Sequence, residues 1–221
     1  MKLWILAAAC AAALAGQVAS EANRHYQTPE QREAMAKGLS RAGRDALQKP
    51  AELVAHMDLQ PGMTVADIGT GSGYMLPHLS RAVGPSGRVL AEDVFDDFLA
   101  RAREGARSAK LANVTFIQGT AKDPALPAGA VDVALALDSY HHYDYPREML
   151  AGIRQALRPG GRLVVVEYYK RPGAMPGGNA VAHIRLDEPD VVREIEAAGF
   201  HLLSRWEQIP GSQYGLVFRK R

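Results

Sequence analysis

Cysteine is nearly absent: the 221 residues contain one, Cys10. Charge of one sign is scarce as well, since 26 Lys and Arg against 24 Asp and Glu leave a formal net charge of +2. No long basic run and no interleaved aromatic stripe occurs, which argues against a dedicated nucleic-acid binder. Long apolar runs are missing too, except at the N-terminus, where Leu3 to Ala15 is too short to span a bilayer. There is no internal repeat. An ordinary apolar share of 47% over this length suits one domain around one sizeable core.

The N-terminus has the layout of a secretory signal peptide. Met1-Lys2 is a minimal positive end, Leu3 to Ala15 is the apolar stretch, and Val18-Ala19-Ser20 supplies small residues at a cleavage site. Cleavage after Ser20 starts the mature chain at Glu21, and Ala13-Leu14-Ala15 offers a second cut. The expected organisation is a signal peptide over 1–20, a linker over 21–27 and one domain over 28–221. The expected location is periplasmic or secreted, or cytoplasmic if the leader is not processed, with no stable membrane insertion of the mature chain. Cleavage also removes Cys10, so neither a disulfide nor a thiolate metal site is possible afterwards.

The most informative run is Asp67-Ile68-Gly69-Thr70-Gly71-Ser72-Gly73-Tyr74. Met63-Thr64-Val65-Ala66 before it reads as a short strand, and Tyr74 to Leu79 after it opens an apolar-periodic helix. Glycines at such a junction accept positive φ and let backbone approach a ligand closely. A dinucleotide fingerprint would place its third glycine three residues after the second, where Tyr74 stands here. Gly87 to Asp93 reads as the next strand, ending in an acid suited to accept from ribose hydroxyls. Val131 to Asp138 is an apolar strand entering a polar loop, and Leu157 to Glu167 gives a helix end, a Pro-Gly-Gly turn and a buried strand.

In this order and spacing the set resembles the core of the class I methyltransferases that use S-adenosylmethionine (SAM), over roughly residues 28–221. The resemblance implies a doubly wound, Rossmann-like seven-stranded sheet in a three-layer α/β/α arrangement, with an antiparallel final strand. The alternation of short buried strands with helices independently favours a parallel sheet covered on both faces. Strands are expected near 63–68, 88–93, 113–118, 131–137 and 161–168, with helices near 73–83, 95–111 and 145–157. Thr28-Pro29-Glu30-Gln31 is a helix start with a capping box. A last helix starts at Asp187 and ends by Gly199, followed by strands over 201–208 and 213–219.

The resemblance implies SAM as cofactor, held by Asp67, Gly69, Gly71 and Gly73 of the loop and by Asp93 at the ribose. Glu92 competes for that last role, but strand alternation is expected to turn it to the other face. Ile117-Gln118-Gly119-Thr120-Ala121 lies where the family often has Gly-Asp-Ala, so Thr120 and Ala121 are expected beside the adenine. Asp138 closes the cofactor set. The run Ser139-Tyr140-His141-His142-Tyr143 follows the fourth strand, where the transferred methyl is expected. His141 or His142 there is a candidate base and Tyr140 a candidate orienting group, with helix packing as the alternative for the histidines. Glu167, His183, Arg185 and Gln48 are acceptor-side candidates. No metal site is expected, because the histidines show no established ligand spacing with His183 or Glu167. Arg171 to Asn179, rich in Gly and Pro, suggests a lid.

The reading is a SAM-dependent methyltransferase acting on an unidentified small-molecule acceptor. Absence of a mature cysteine excludes a thiol-based acceptor site of the arsenite-methylating type. The alternatives are an aminopropyltransferase, disfavoured because Asp138 is not clearly paired with a second acid, and a catalytically silent SAM-fold binding module in the periplasm.

Overall fold

The computed structural model describes residues 16–39 and 43–221. The apolar stretch and Cys10 of the expected leader lie outside the described residues. Among those described, no helix is long and apolar enough to cross a membrane.

The described residues open with four short helices, α1 (Ser20–Asn23), α2 (Pro29–Leu39), α3 (Arg44–Gln48) and α4 (Pro50–Met57). Thr28 caps α2 reciprocally with Gln31: the Gln31 amide donates to Thr28 Oγ1 and the Thr28 amide to Gln31 Oε1. Alternation follows, with β1 (Thr64–Ile68), α5 (Leu76–Val83), β2 (Arg88–Asp93), α6 (Asp96–Ser108), β3 (Val114–Gln118) and β4 (Val131–Leu137). A single 3-10 turn, Tyr140–His142, leads to α7 (Pro146–Ala156) and β5 (Leu157–Tyr168). The chain ends with α8 (Ala180–His183), α9 (Glu188–Ala197), β6 (Phe200–Ile209) and β7 (Gln213–Lys220).

The seven strands form one sheet in the order β3-β2-β1-β4-β5-β7-β6. All neighbouring pairs from β3 to β5 are parallel, and β7 runs antiparallel to both β5 and β6. This is the doubly wound sheet with an antiparallel last strand that the resemblance implied. β1 is buried at every position, as expected of a parallel strand covered on both faces. Alternate side chains serve two cores. Ala66, Ile68, Ala134 and Ala136 face Leu150 and Ile153 of α7, while Val65, Val89, Val133 and Leu135 face Leu53, Leu76 and Leu79 of α4 and α5. Leu76, Leu79 and Val83 are fully buried at helical spacing, each burial contributing about 1.5–3 kcal/mol.

The strand order reverses between β1 and β4, because the chain winds outward to β3 and then returns to the other side of β1. Loops leaving those two strands diverge, which opens a crevice at their carboxyl ends. Residues 21–27, expected to be a linker, instead belong to the fold. They complete α1 and the turn before α2, the Asn23 amide donates to the His142 carbonyl, and the Tyr26 ring lies against Phe95. The Gly/Pro-rich segment also differs from its expected role as a lid. Ala174, Ala180 and Ile184 form a small core of their own with Tyr168, Tyr169 and Met175, and no residue of 171–179 lines the crevice.

Candidate functional site

The crevice holds a cavity of about 390 Å³, walled by the loops after β1, β2 and β4 and covered by the N-terminal helices. Gly69 and Gly71 sit in its floor with φ of 71° and 55°. A Cβ on Gly69 would stand 2.7 Å from Ser139 Cβ, and one on Gly71 would meet only Leu39 at 3.5 Å. The first glycine is thus required by the protein's own packing, whereas the second leaves its space to a ligand. Gly73 is different again. A Cβ there would crowd Leu76 and Ala102 at 2.9 and 3.1 Å, and the residue does not line the cavity, so it seats α5 against α6 and not a cofactor.

Five carboxylates line this one cavity: Asp67, Glu92, Asp93, Asp138 and Asp144. Asp93 Oδ2 accepts the Gly71 amide at 2.9 Å and its Oδ1 accepts the Phe95 amide at 2.9 Å, so one side chain ties β2 to the glycine loop and starts α6. Asp67 accepts from Thr70 Oγ1 at 2.7 Å. Glu92 corrects an expectation: it is turned into the same cavity, its Oε2 accepting the Gly69 amide at 3.2 Å while Oε1 finds no partner. The strand ends at Asp93, and both of its last side chains can therefore reach the opening. Gly119 lies against the Glu92 carboxylate, where any side chain would collide with it.

Burial pushes the carboxyl groups of Asp67 and Asp93 up to about 6, with hydrogen bonds from Thr70 and from backbone amides acting against it. It pushes Glu92 well above its usual range, with Asp93 adding to the effect. Asp138 is raised to about 7 by burial and by Glu167, partly offset by Arg44. The Arg44 guanidinium is the nearby cation, 4.0 Å from Asp138 and 3.9 Å above the Tyr74 ring. A cavity with this excess of carboxylate favours a ligand that brings positive charge and hydroxyl donors.

The remaining expected residues divide clearly. Thr120 and Ala121 line the cavity, but Thr120 Oγ1 is occupied by the amides of Lys122 and Asp123 in a tight turn. Gln48 does not touch the cavity; it donates to Gln213 Oε1, and Gln213 donates to Asp138 Oδ1 at 2.6 Å. Its role is to hold Asp138 at one remove. Tyr140 is corrected outright. It is buried in the α7/α9 core with its hydroxyl donating to Glu194 at 2.6 Å, and it cannot reach an acceptor. Arg185 forms a two-bond pair with the same Glu194, so it too is structural. His141 is buried, with Nδ1 on Glu167 Oε2 at 2.6 Å and Nε2 3.1 Å from His183 Nε2. With both ring nitrogens engaged and no exposure to the cavity, it does not serve as a base toward an acceptor there. His142 does line the cavity, beside Asn23, Tyr26 and Asp144. Burial, and after it His141 and His183, hold its imidazole well below the usual range.

Comparison with known proteins agrees with this geometry. Residues 65–161 match the family model of a methyltransferase domain. The chain is 32% identical over 116 residues to the ubiquinone/menaquinone biosynthesis C-methyltransferase UbiE of Ectopseudomonas mendocina, covering 52% of this chain and 45% of that protein. It is 37% identical over 111 residues to an uncharacterized 37.1 kDa protein in transposon TN4556 of Streptomyces fradiae, covering 50% and 32%. The chain thus spans less than half the length of these curated relatives. A SAM-dependent methyltransferase from Aquifex aeolicus superposes with a TM-score of 0.78 at 26% identity, over 85% of this chain and 98% of that one.

The fold is the one shared by the SAM-dependent methyltransferase of Aquifex aeolicus, and residues 65–161 carry the match to a methyltransferase domain. SAM is the cofactor, and the chain's own groups fit it: an open glycine at Gly71, a hydrogen-bonding acid at Asp93, and a surplus of carboxylate for a cationic sulfonium.

Proposed function

We propose that the chain transfers the methyl group of SAM to a small-molecule acceptor that enters beside Tyr26, His142 and Asp144. The observation that carries this reading is a single cavity that joins the SAM features of β1 and β2 to an aromatic, histidine-bearing end under α1. Its size lies within the usual range for small-ligand sites, and its wall is rich in carboxylates, which disfavours a polyanionic nucleic acid.

Bound SAM supplies an activated methyl group on a sulfonium. The chain supplies position and dryness, which account for most of the rate in a displacement of this kind. Asp93 would hold the ribose, and the loop at Gly69 and Gly71 would lie against the cofactor. The N-terminal cover excludes water: Tyr26 packs on Phe95 and edge-on to His142 at 4.9 Å, and Arg32 ties α2 to Asp97 of α6 at 2.7 Å. His142 is the expected catalytic group that best fits an acceptor contact. Asn23 donates from Nδ2 to the His142 carbonyl, so its Oδ1 accepts from His142 Nδ1 at 2.8 Å and fixes the ring as a neutral Nδ1–H tautomer.

Export through the leader is part of this proposal. A silent SAM-fold module is its main rival, because SAM is made in the cytoplasm. Calorimetry of the purified chain with SAM and with its demethylated product separates them. Micromolar binding of both supports the enzyme, and binding of neither removes it.

A further inference from the structure

His141 and His142 stand on the 3-10 turn after β4, and His183 ends α8 after the Gly/Pro-rich segment, so 42 residues of chain separate the first from the last. The fold nevertheless gathers them. One ring nitrogen from each lies within 4.8 Å of the other two, and His141 Nε2 is 3.1 Å from His183 Nε2. The rings cross at 42°, 63° and 77°, so they do not form a parallel stack.

We infer that His141, His142 and His183 form a binding site for a divalent first-row transition-metal ion, Zn²⁺ foremost, with Glu167 and Asn23 as the groups that orient the ligand rings. The hydrogen bonds around the cluster support this. Glu167 is buried and accepts the His141 amide at 3.0 Å, the Tyr168 amide at 2.9 Å and His141 Nδ1 at 2.6 Å. A carboxylate in that position makes Nδ1 the protonated nitrogen and leaves the Nε2 lone pair toward His183. Asn23 fixes His142 in the same tautomer. A ligating histidine almost always has such a partner on its other nitrogen, a carboxylate or a carbonyl oxygen. Two of the three rings therefore stand ready as donors.

Dimensions and donor chemistry agree. Zn–N bonds of about 2.0–2.1 Å in a tetrahedral site put ligand nitrogens about 3.3 Å apart, a spacing between the 3.1 Å observed for one pair and the 4.8 Å limit for all three. Three imidazoles suit Zn²⁺, Cu²⁺, Ni²⁺ or Co²⁺ and not Mg²⁺ or Ca²⁺, and they leave a fourth position open. The site adjoins the cavity through His142, whose one free lone pair serves either the ion or an acceptor, and the inference does not rest on methyl transfer.

The test uses the full purified chain, stripped with EDTA and titrated with Zn²⁺ in a calorimeter, with SAM affinity measured in parallel. One ion per chain is expected, and Co²⁺ should give the visible ligand-field bands of a low-coordinate nitrogen site. His183→Ala should abolish both signals. Glu167→Gln and Asn23→Ala should weaken binding by about 10–100-fold, and His201→Ala, on an exposed strand, should change nothing. SAM binding reports that the His183 variant is folded, since His183 lies outside the cofactor cavity. Zn²⁺ binding retained by folded His183→Ala, binding matched by Mg²⁺, or absence of both Zn²⁺ binding and Co²⁺ bands in the native chain overturns the site.

Discussion

Asp93 Oδ2 lies 2.9 Å from the amide of Gly71, so the acid expected to hold the ribose also holds the glycine loop on which the cofactor rests. Asp93→Ala should weaken SAM binding by about 1.5–3 kcal/mol, the range for a charged hydrogen-bonding group. It should also lower the melting temperature, because the Gly71 and Phe95 amides lose their acceptor. Titration of SAM into folded Asp93→Ala checks this, and unchanged affinity would remove the cofactor assignment from β2.

Gly71 and Gly73 are two residues apart and should respond in opposite ways. Gly71→Val brings a branched side chain into open cavity space, so SAM binding should be lost while the fold bears only the strain of a positive φ, about 1 kcal/mol or more. Gly73→Ala drives a methyl into Leu76 and the Ala102 backbone, which should cost about 1–3 kcal/mol of stability as an overpacked contact. Paired melting curves and SAM titrations distinguish the two. Normal SAM affinity in Gly71→Val would mean that the loop is only a turn.

Asp138 links the site to pH. Its carboxyl rises from 3.8 to about 7 in the ligand-free fold, burial being the main cause and Glu167 the second. The folded chain therefore holds a proton that the unfolded chain releases. The stability this provides is present below about pH 4 and is lost as pH rises through about 7. Asp138→Asn keeps an oxygen for Gln213 Nε2 and tolerates the φ of 52°. It should stabilise the ligand-free chain at pH 8 by on the order of 2 kcal/mol, discounted for partial exposure, and leave it unchanged near pH 4. A stability gain equal at both pH values would contradict the assignment.

The fold was legible because each strand is an apolar run closed by a turn signal. Val131–Leu137 and Arg88–Asp93 fall where the sequence places them. The helix after the glycine loop begins at Leu76 and not at 73, since positive φ at Gly71 and Gly73 cannot continue a helix. Much of the site was not legible, because its partners are tertiary. Nothing local connects Glu167 to His141 or Gln48 through Gln213 to Asp138. Period-2 alternation placed Glu92 on the wrong face because, one residue from the end of β2, its long side chain bends round to the open edge beside Gly69. Tyr140 stands beside two histidines in sequence, but the 3-10 turn sends it into the opposite core.

If the proposed leader is cleaved, the contacts of Val18 and Ala19 favour the cut after Ala15 over the cut after Ser20. Ala19 is 2% exposed, its amide reaches Asp144 Oδ1 at 3.3 Å, and the Val18 amide donates to the Asp144 carbonyl at 3.1 Å. Removal after Ser20 would strip these contacts from beneath the acceptor end. The alternative cut after Ala15 keeps them, so the exported chain should begin at Gly16. Intact-mass measurement of the periplasmic protein checks this; a start at Glu21 contradicts the assigned cut, and full-length chain found only in the cytoplasm contradicts export.

His142 should matter for turnover and little for SAM affinity, since it lines the cavity but is held by Asn23 and bonds neither the glycine loop nor Asp93. His142→Gln keeps a polar side chain within reach of Asn23 but presents no imidazole lone pair. Turnover should fall by about 10²-fold, the cost of misplacing or losing one positioning group, while the dissociation constant for SAM changes little. Asn23→Ala should produce a smaller fall in the same direction, because it releases the ring without removing it. The readout is formation of the demethylated cofactor in the presence of a small-molecule extract. His142→Gln turning over at the native rate would leave catalysis to orientation by the cavity alone and return His142 to a packing role.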